Sequence, residues 1–157
     1  MSSSLFKHIL IAFLVLASQI MLFRHLRIFG SEADIILIYL IYLMSAHERT
    51  TVLIFAGGLG LIQDALLDLW GLNMFAKVSV VMLFYNVIPK MDDPKQPFAR
   101  FFVLLISITF LHNLIMVVLA LFVQSLSASA VVTRVLVGNT IFTTFAGSFI
   151  HLIKNEN

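Results

Sequence analysis

From Leu5 onward the chain is a succession of apolar stretches with only short polar turns between them, and this leaves few ways to fold. Six stretches can be marked off, at about 5–23, 34–46, 50–69, 73–88, 101–123 and 128–153. A helix needs about 20 residues to cross the hydrocarbon of a bilayer. Backbone polar groups in lipid must be satisfied within the element itself, so such stretches are expected as helices. The alternation of a barrel strand is not visible. The expected fold is all-α, a polytopic membrane protein with a six-transmembrane-helix bundle, forming a single domain over residues 1–157.

Composition agrees with this expectation. Hydrophobic residues make up 61% of the chain and charged residues 11%, against about 45–50% and about 25% in ordinary soluble domains. A water-soluble fold of this size leaves too much surface exposed to hide so much apolar area. The net charge of +2 and the lack of a basic, aromatic-interleaved stripe give no sign of nucleic-acid binding. The absence of cysteine removes disulfides and thiolate metal sites.

The second stretch is the shortest. Thirteen residues would reach only about 20 Å as a helix, so it is expected to begin earlier, near Ile28, to cross a thinned region, or to form a re-entrant hairpin. The longest polar segment, Pro89 to Pro97, holds all three prolines and reads as a loop. Lys7 followed by the apolar run Ile9–Phe23 looks like a signal peptide. The run is long and is followed by Arg24-His25-Leu26-Arg27, which favours an uncleaved first span. With six spans, Lys7, Arg49, Lys90, Lys95, Arg100 and Lys154 share a side with both termini, and only Arg24 and Arg27 flank the other. The excess of basic residues predicts cytoplasmic termini.

Ionisable groups within spans are costly and usually face a partner or a cavity. Asp64, Asp68, Lys77 and Arg134 fall at similar depth and are expected to form an outer-half polar cluster. Three roles are open to it: joining helices, holding a ligand or ion, or meeting a partner protein. Asp64 and Asp68 share a helix face with Ala56 and Gly60. Small residues at this spacing allow close helix packing, as do Gly138 and Gly147 on the sixth stretch among hydroxyl side chains. His112-Asn113, in the fifth stretch, reads as a hydrogen-bonded packing pair, since no second His or Cys stands at metal spacing.

Motifs of catalysis are missing: there is no nucleophile elbow, no zinc-protease pair and no phosphate loop. Ser4 and Lys7 match Ser-x-x-Lys without its companion motifs. The expectation is a non-enzyme with no catalytic residues, no metal ligands and no cofactor.

Two stretches resemble the MreD family of bacterial rod shape-determining membrane proteins. One is Ala33-Asp34 followed by an apolar run to Leu40. The other is Gly57 to Asn73, in which glycines lead to Asp and then to Gly and a polar residue. Asp34, Gly60, Asp64, Gly71 and Asn73 stand at the matching positions. Ala33 replaces a usual Pro, and Lys77 is a charge where an apolar residue is usual. The resemblance implies a scaffold in the bacterial inner membrane. It would partner MreC, within elongation machinery that includes MreB, RodA and a penicillin-binding transpeptidase. It would support peptidoglycan synthesis and cell-shape control in contact with membrane lipids. It also implies an architecture similar to the substrate-binding components of vitamin transporters. The alternative is therefore a small-molecule-binding membrane subunit of a transporter.

Overall fold

A computed structural model describes residues 2–23, 31–90, 98–122 and 132–155. Its described chain folds into six helices. Helix α1 covers Ser2–Ser18 and widens into a π-helical turn at Gln19–Phe23. Then come α2 (Ile35–Ala46), α3 (Arg49–Leu67), α4 (Leu72–Phe84) and α5 (Phe98–Phe122). A second wide turn, Arg134–Asn139, leads into α6 (Thr140–Asn155). The Arg24–Arg27 loop, the segment 91–97 with Lys95, and the expected start of the sixth span at 128–131 lie outside the described residues.

Three helices are long and apolar enough to cross a bilayer: Arg49–Leu67, Phe98–Phe122 and Arg134–Ile153. The helices at 35–46 and 72–84 are shorter than the expected spans require. Helix α4 stops at Phe84, four residues before the expected Ile88, because the chain turns at Tyr85–Val87.

Large apolar side chains cover the outside as well as the core, and polar ones are buried. Phe13, Ile54, Leu83, Phe145 and Phe149 are exposed, while Gln63, Asn73, Thr109, Asn113 and Thr143 are buried. A surface so continuously apolar suits lipid and not water.

Helix α2 lies at the centre and packs on α1, α3, α4 and α6. Its Ile-Ile-Leu-Ile run has no polar face, as expected of a helix buried all round. Ile36, Leu37, Leu40, Leu43 and Met44 are sealed in the core. Twelve residues give a rise of about 18 Å, and the chain reaches its start through the extended segment Glu32–Asp34 rather than through an earlier helical turn. Non-helical backbone buried in a bundle is tolerated only when other groups satisfy it. Here Gln19 Nε2 donates to the Ala33 carbonyl at 3.0 Å, and the Ile35 amide donates to Gln19 Oε1 at 2.7 Å. The Glu32 amide donates to Asn139 Oδ1 and the Asp34 amide to Thr143 Oγ1, both at 2.9 Å. Gln19 opens the first wide turn and Asn139 closes the second, so both turns bring an amide onto this segment.

Helices α3 and α4 form a tight antiparallel pair. A Cβ added at Gly60 would lie 2.5 Å from Met74 Cα, which explains why only glycine fits there. At the other end of the pair the Arg49 guanidinium donates to the Met82 carbonyl at 3.2 Å, on the last turn of α4. The remaining small residues are also internal contacts. Ala56 is fully buried. A Cβ at Gly138 would run into the Ser31 side chain, and one at Gly147 would lie 2.9 Å from Leu105 of α5.

Candidate functional site

The turn between α3 and α4 sets the geometry of the polar interior. Asp68 ends α3 at φ 57°, Trp70 follows at φ 49°, and Gly71 precedes α4 at φ 90°. Aspartate tolerates the left-handed region better than most side chains, and glycine adopts it freely. Gly71 offers no side chain to cap α4, yet the first amides of a helix need acceptors. Asp64 supplies them from the neighbouring helix. Its Oδ1 accepts from the Asn73 backbone and side-chain nitrogens, each at 3.0 Å, and its Oδ2 accepts from the Met74 amide at 2.8 Å. A carboxylate at a helix N-terminus is also favoured by the helix dipole. Asp64 is 2% exposed, so these bonds are made out of water.

Asn73 links this corner to a second carboxylate. Its Oδ1 lies 3.4 Å from Lys77 Nζ, one turn further along α4. Lys77 is fully buried, and its ammonium donates to Asp34 Oδ2 at 2.6 Å. The other oxygen of Asp34 caps α2 by accepting from the Leu37 amide at 2.9 Å. Asp34 thus caps its own helix while holding the lysine of another. His112 Nε2 of α5 lies 3.8 Å from Asp34 Oδ2. A continuous polar path therefore runs through Asp64, Asn73, Lys77, Asp34 and His112, joining α3, α4, α2 and α5.

The expected cluster of four charges is not what forms. Lys77 pairs with Asp34 and not with Asp64 or Asp68. Asp68 and Arg134 are both exposed: one sits in the left-handed turn that ends α3, the other at the first residue of the wide turn before α6. Charges at helix ends reach the surface, whereas those inside the bundle need partners. Neither ring nitrogen of His112 has a partner at good hydrogen-bond geometry, although Nε2 faces the Asp34 carboxylate at 3.8 Å. Asn113 does bond, donating to Thr140 Oγ1 of α6 at 2.9 Å.

Gln19 and Gln63 carry no sequence signal beyond an amide inside an apolar stretch. The pairing of Asp34 with Lys77 has no local signal either, because the two are far apart in the chain.

A cavity of about 290 Å³ opens beside this path, between α1, α3, α5 and the turn before α6. Asp34, Gln63, Asn73, His112, Asn113 and Asn139 are among its polar lining. Among the described residues, no three of His, Asp and Glu are grouped to hold a metal ion. Compared with protein-family models, with curated proteins and with solved structures, the chain matches none.

Proposed function

We propose that this chain is a non-enzymatic, multi-pass scaffold of the bacterial inner membrane, acting in cell elongation as the MreD family does. In this reading all six helices cross the membrane and both termini are cytoplasmic. The short α2 and α4 cross as part of the bundle, together with the polar turns that lead into them. One observation carries the reading: Gly60, Asp64, Gly71 and Asn73, four of the five residues of the resemblance, are used at a single corner that docks α3 on α4. These residues are taken up in docking α3 on α4.

The partner in this reading is the transmembrane helix of MreC, and through it MreB, RodA and the penicillin-binding transpeptidase. The faces bearing Gly60, Gly138 and Gly147 are occupied within the bundle, so the partner helix docks elsewhere. Gly58 is the glycine of α3 that faces outward, with open space where a Cβ would stand and Ile54, Leu61 and Ile62 exposed around it. Small residues on an outer face allow close approach of another helix.

The test is recovery of MreC with the tagged chain from solubilised membranes, and cell shape on depletion. The reading expects MreC to co-purify with the parent chain and to be lost with Gly58→Leu. It also expects depleted cells to lose rod shape. Cells that stay rods, together with no MreC recovered, overturn it.

A further inference from the structure

The cavity beside the Asp34–Lys77 pair carries polar groups that the bundle leaves without partners. Gln63 is 5% exposed and its Oε1 accepts nothing; His112 is 2% exposed and both its ring nitrogens are unbonded. Both residues line the cavity. Leaving one buried polar group unsatisfied costs about 1–3 kcal/mol. Gln63 and His112 come together on this cavity, whereas the other described side chains with a buried, unbonded atom, His8, His47, Thr144 and Ser148, are not in its lining. The rest of the lining includes the apolar Leu67, Leu69, Met116 and Val135. A largely apolar enclosure with a few convergent polar groups is the usual form of a small-molecule site.

The lining also selects by charge. Among the described residues it includes no lysine or arginine, and of its two carboxylate residues Asp34 is held by Lys77 and Glu32 has an interaction of its own. The nearest ammonium, Lys77, is engaged by Asp34 and Asn73. An anion entering this space would meet no cation free to receive it, which disfavours phosphate esters and phospholipid headgroups. The unbonded Gln63 oxygen calls for an N–H or O–H donor, and the ring nitrogens of His112 can each donate or accept. At about 30 Å³ per water, the volume holds a molecule of roughly ten non-hydrogen atoms.

We propose that this cavity binds a small organic molecule, uncharged or singly cationic, that presents N–H or O–H donors to Gln63 and His112 beside the apolar Leu67 and Met116. The site stands independently of the scaffold reading: failure to recover MreC leaves it intact, and failure to bind leaves the scaffold intact.

The experiment uses the full chain in lipid nanodiscs, with thermal unfolding read against nicotinamide, glucosamine and ethanolamine. Their anionic counterparts, nicotinate, glucosamine 6-phosphate and phosphoethanolamine, serve as the contrast. The expected result is a saturable rise in the unfolding midpoint with at least one of the first three and none with its counterpart. Met116→Trp, which fills the cavity from an apolar wall, and Gln63→Leu should each weaken that response at least tenfold. The parent protein alone can overturn the proposal, if none of the three compounds shifts it or if the anions shift it equally. Variants that respond as the parent does overturn it as well.

Discussion

Asp64 of α3 caps the N-terminus of α4, accepting from the Asn73 amide at 3.0 Å and from the Met74 amide at 2.8 Å. Most helices carry a capping side chain just before their own first turn. Here the capping position is Gly71, chosen for its φ of 90°, and the acceptor comes from the helix that α4 packs against. Secondary structure and tertiary packing therefore depend on one side chain. Replacing Asp64 by Asn keeps the size but leaves an amide N–H group facing one of these donors. The expected loss is about 2 kcal/mol or more, read as a lower unfolding midpoint in detergent. Asp68→Gly, four residues on, should lose little, since that exposed position needs a left-handed backbone and not a carboxylate. Equal effects of the two substitutions would contradict this assignment.

The Asp34–Lys77 pair predicts strong non-additivity. Lys77→Met leaves a buried carboxylate without its ammonium, and breaking a buried pair in this way costs about 3–5 kcal/mol. Adding Asp34→Asn removes the orphaned charge and keeps an oxygen that caps the Leu37 amide. The double variant should therefore recover most of the stability lost in the single one. A double-mutant cycle with additive losses would show that the 2.6 Å contact contributes no coupling.

How much of this was legible in the sequence differs from element to element. The central helix was marked at 34–46 and lies at Ile35–Ala46, because Asp34 is a strong cap and the run after it is uniformly apolar. The lengths of α3 and α5 were legible for the same reason: apolar composition sets where a helix suits lipid. Which charges meet was not legible. Asp64, Asp68, Lys77 and Arg134 were grouped by depth along straight helices, but pairing depends on which face each helix turns inward. Asp68 sits in a left-handed turn and Lys77 reaches across to α2, and neither follows from spacing along one helix. The extended entry at Glu32–Asp34 was hidden too, since its acceptors and donors come from Gln19, Asn139 and Thr143, far away in the chain.

At the opposite end of α2, the rings of His8 and His47 meet with their Nε2 atoms 3.1 Å apart. Burial, and then the proximity of His8, hold the His47 imidazole below its ordinary range. Tyr85 donates to the His47 carbonyl, and Lys90 donates to the Met44 carbonyl beside it. In the unfolded chain the imidazole titrates near its usual value of about 6.5, and in the folded chain it does so at lower pH. The folded state thus binds fewer protons between these values, and stability is full above about 6.5 and falls as pH drops through that interval. Unfolding midpoints measured from pH 7.5 to 5 should decline, and His47→Phe should flatten the profile. A parent profile already flat across that range would contradict the assignment.

Two glycines of one helix should respond to the same substitution with opposite signs. At Gly60 an added methyl would lie 2.5 Å from Met74 Cα and 2.9 Å from Met74 N, both backbone atoms that cannot rotate away. Helix α4 would have to retreat, and with it the amides that Asp64 caps, so Gly60→Ala combines overpacking with a stretched cap. Overpacking alone costs about 1–3 kcal/mol. At Gly58 nothing lies within 4 Å of the added methyl, and the backbone is ordinary α-helix. Gly58→Ala removes only the freedom of the unfolded chain and should stabilise by about 0.5–1 kcal/mol. Both changes add one methyl to α3, so helix propensity and hydrophobicity cancel in the comparison and the difference in unfolding midpoint isolates the approach of α4. Were Gly60→Ala to match Gly58→Ala, the close α3–α4 contact that presents Asn73 and Met74 to Asp64 would be wrong.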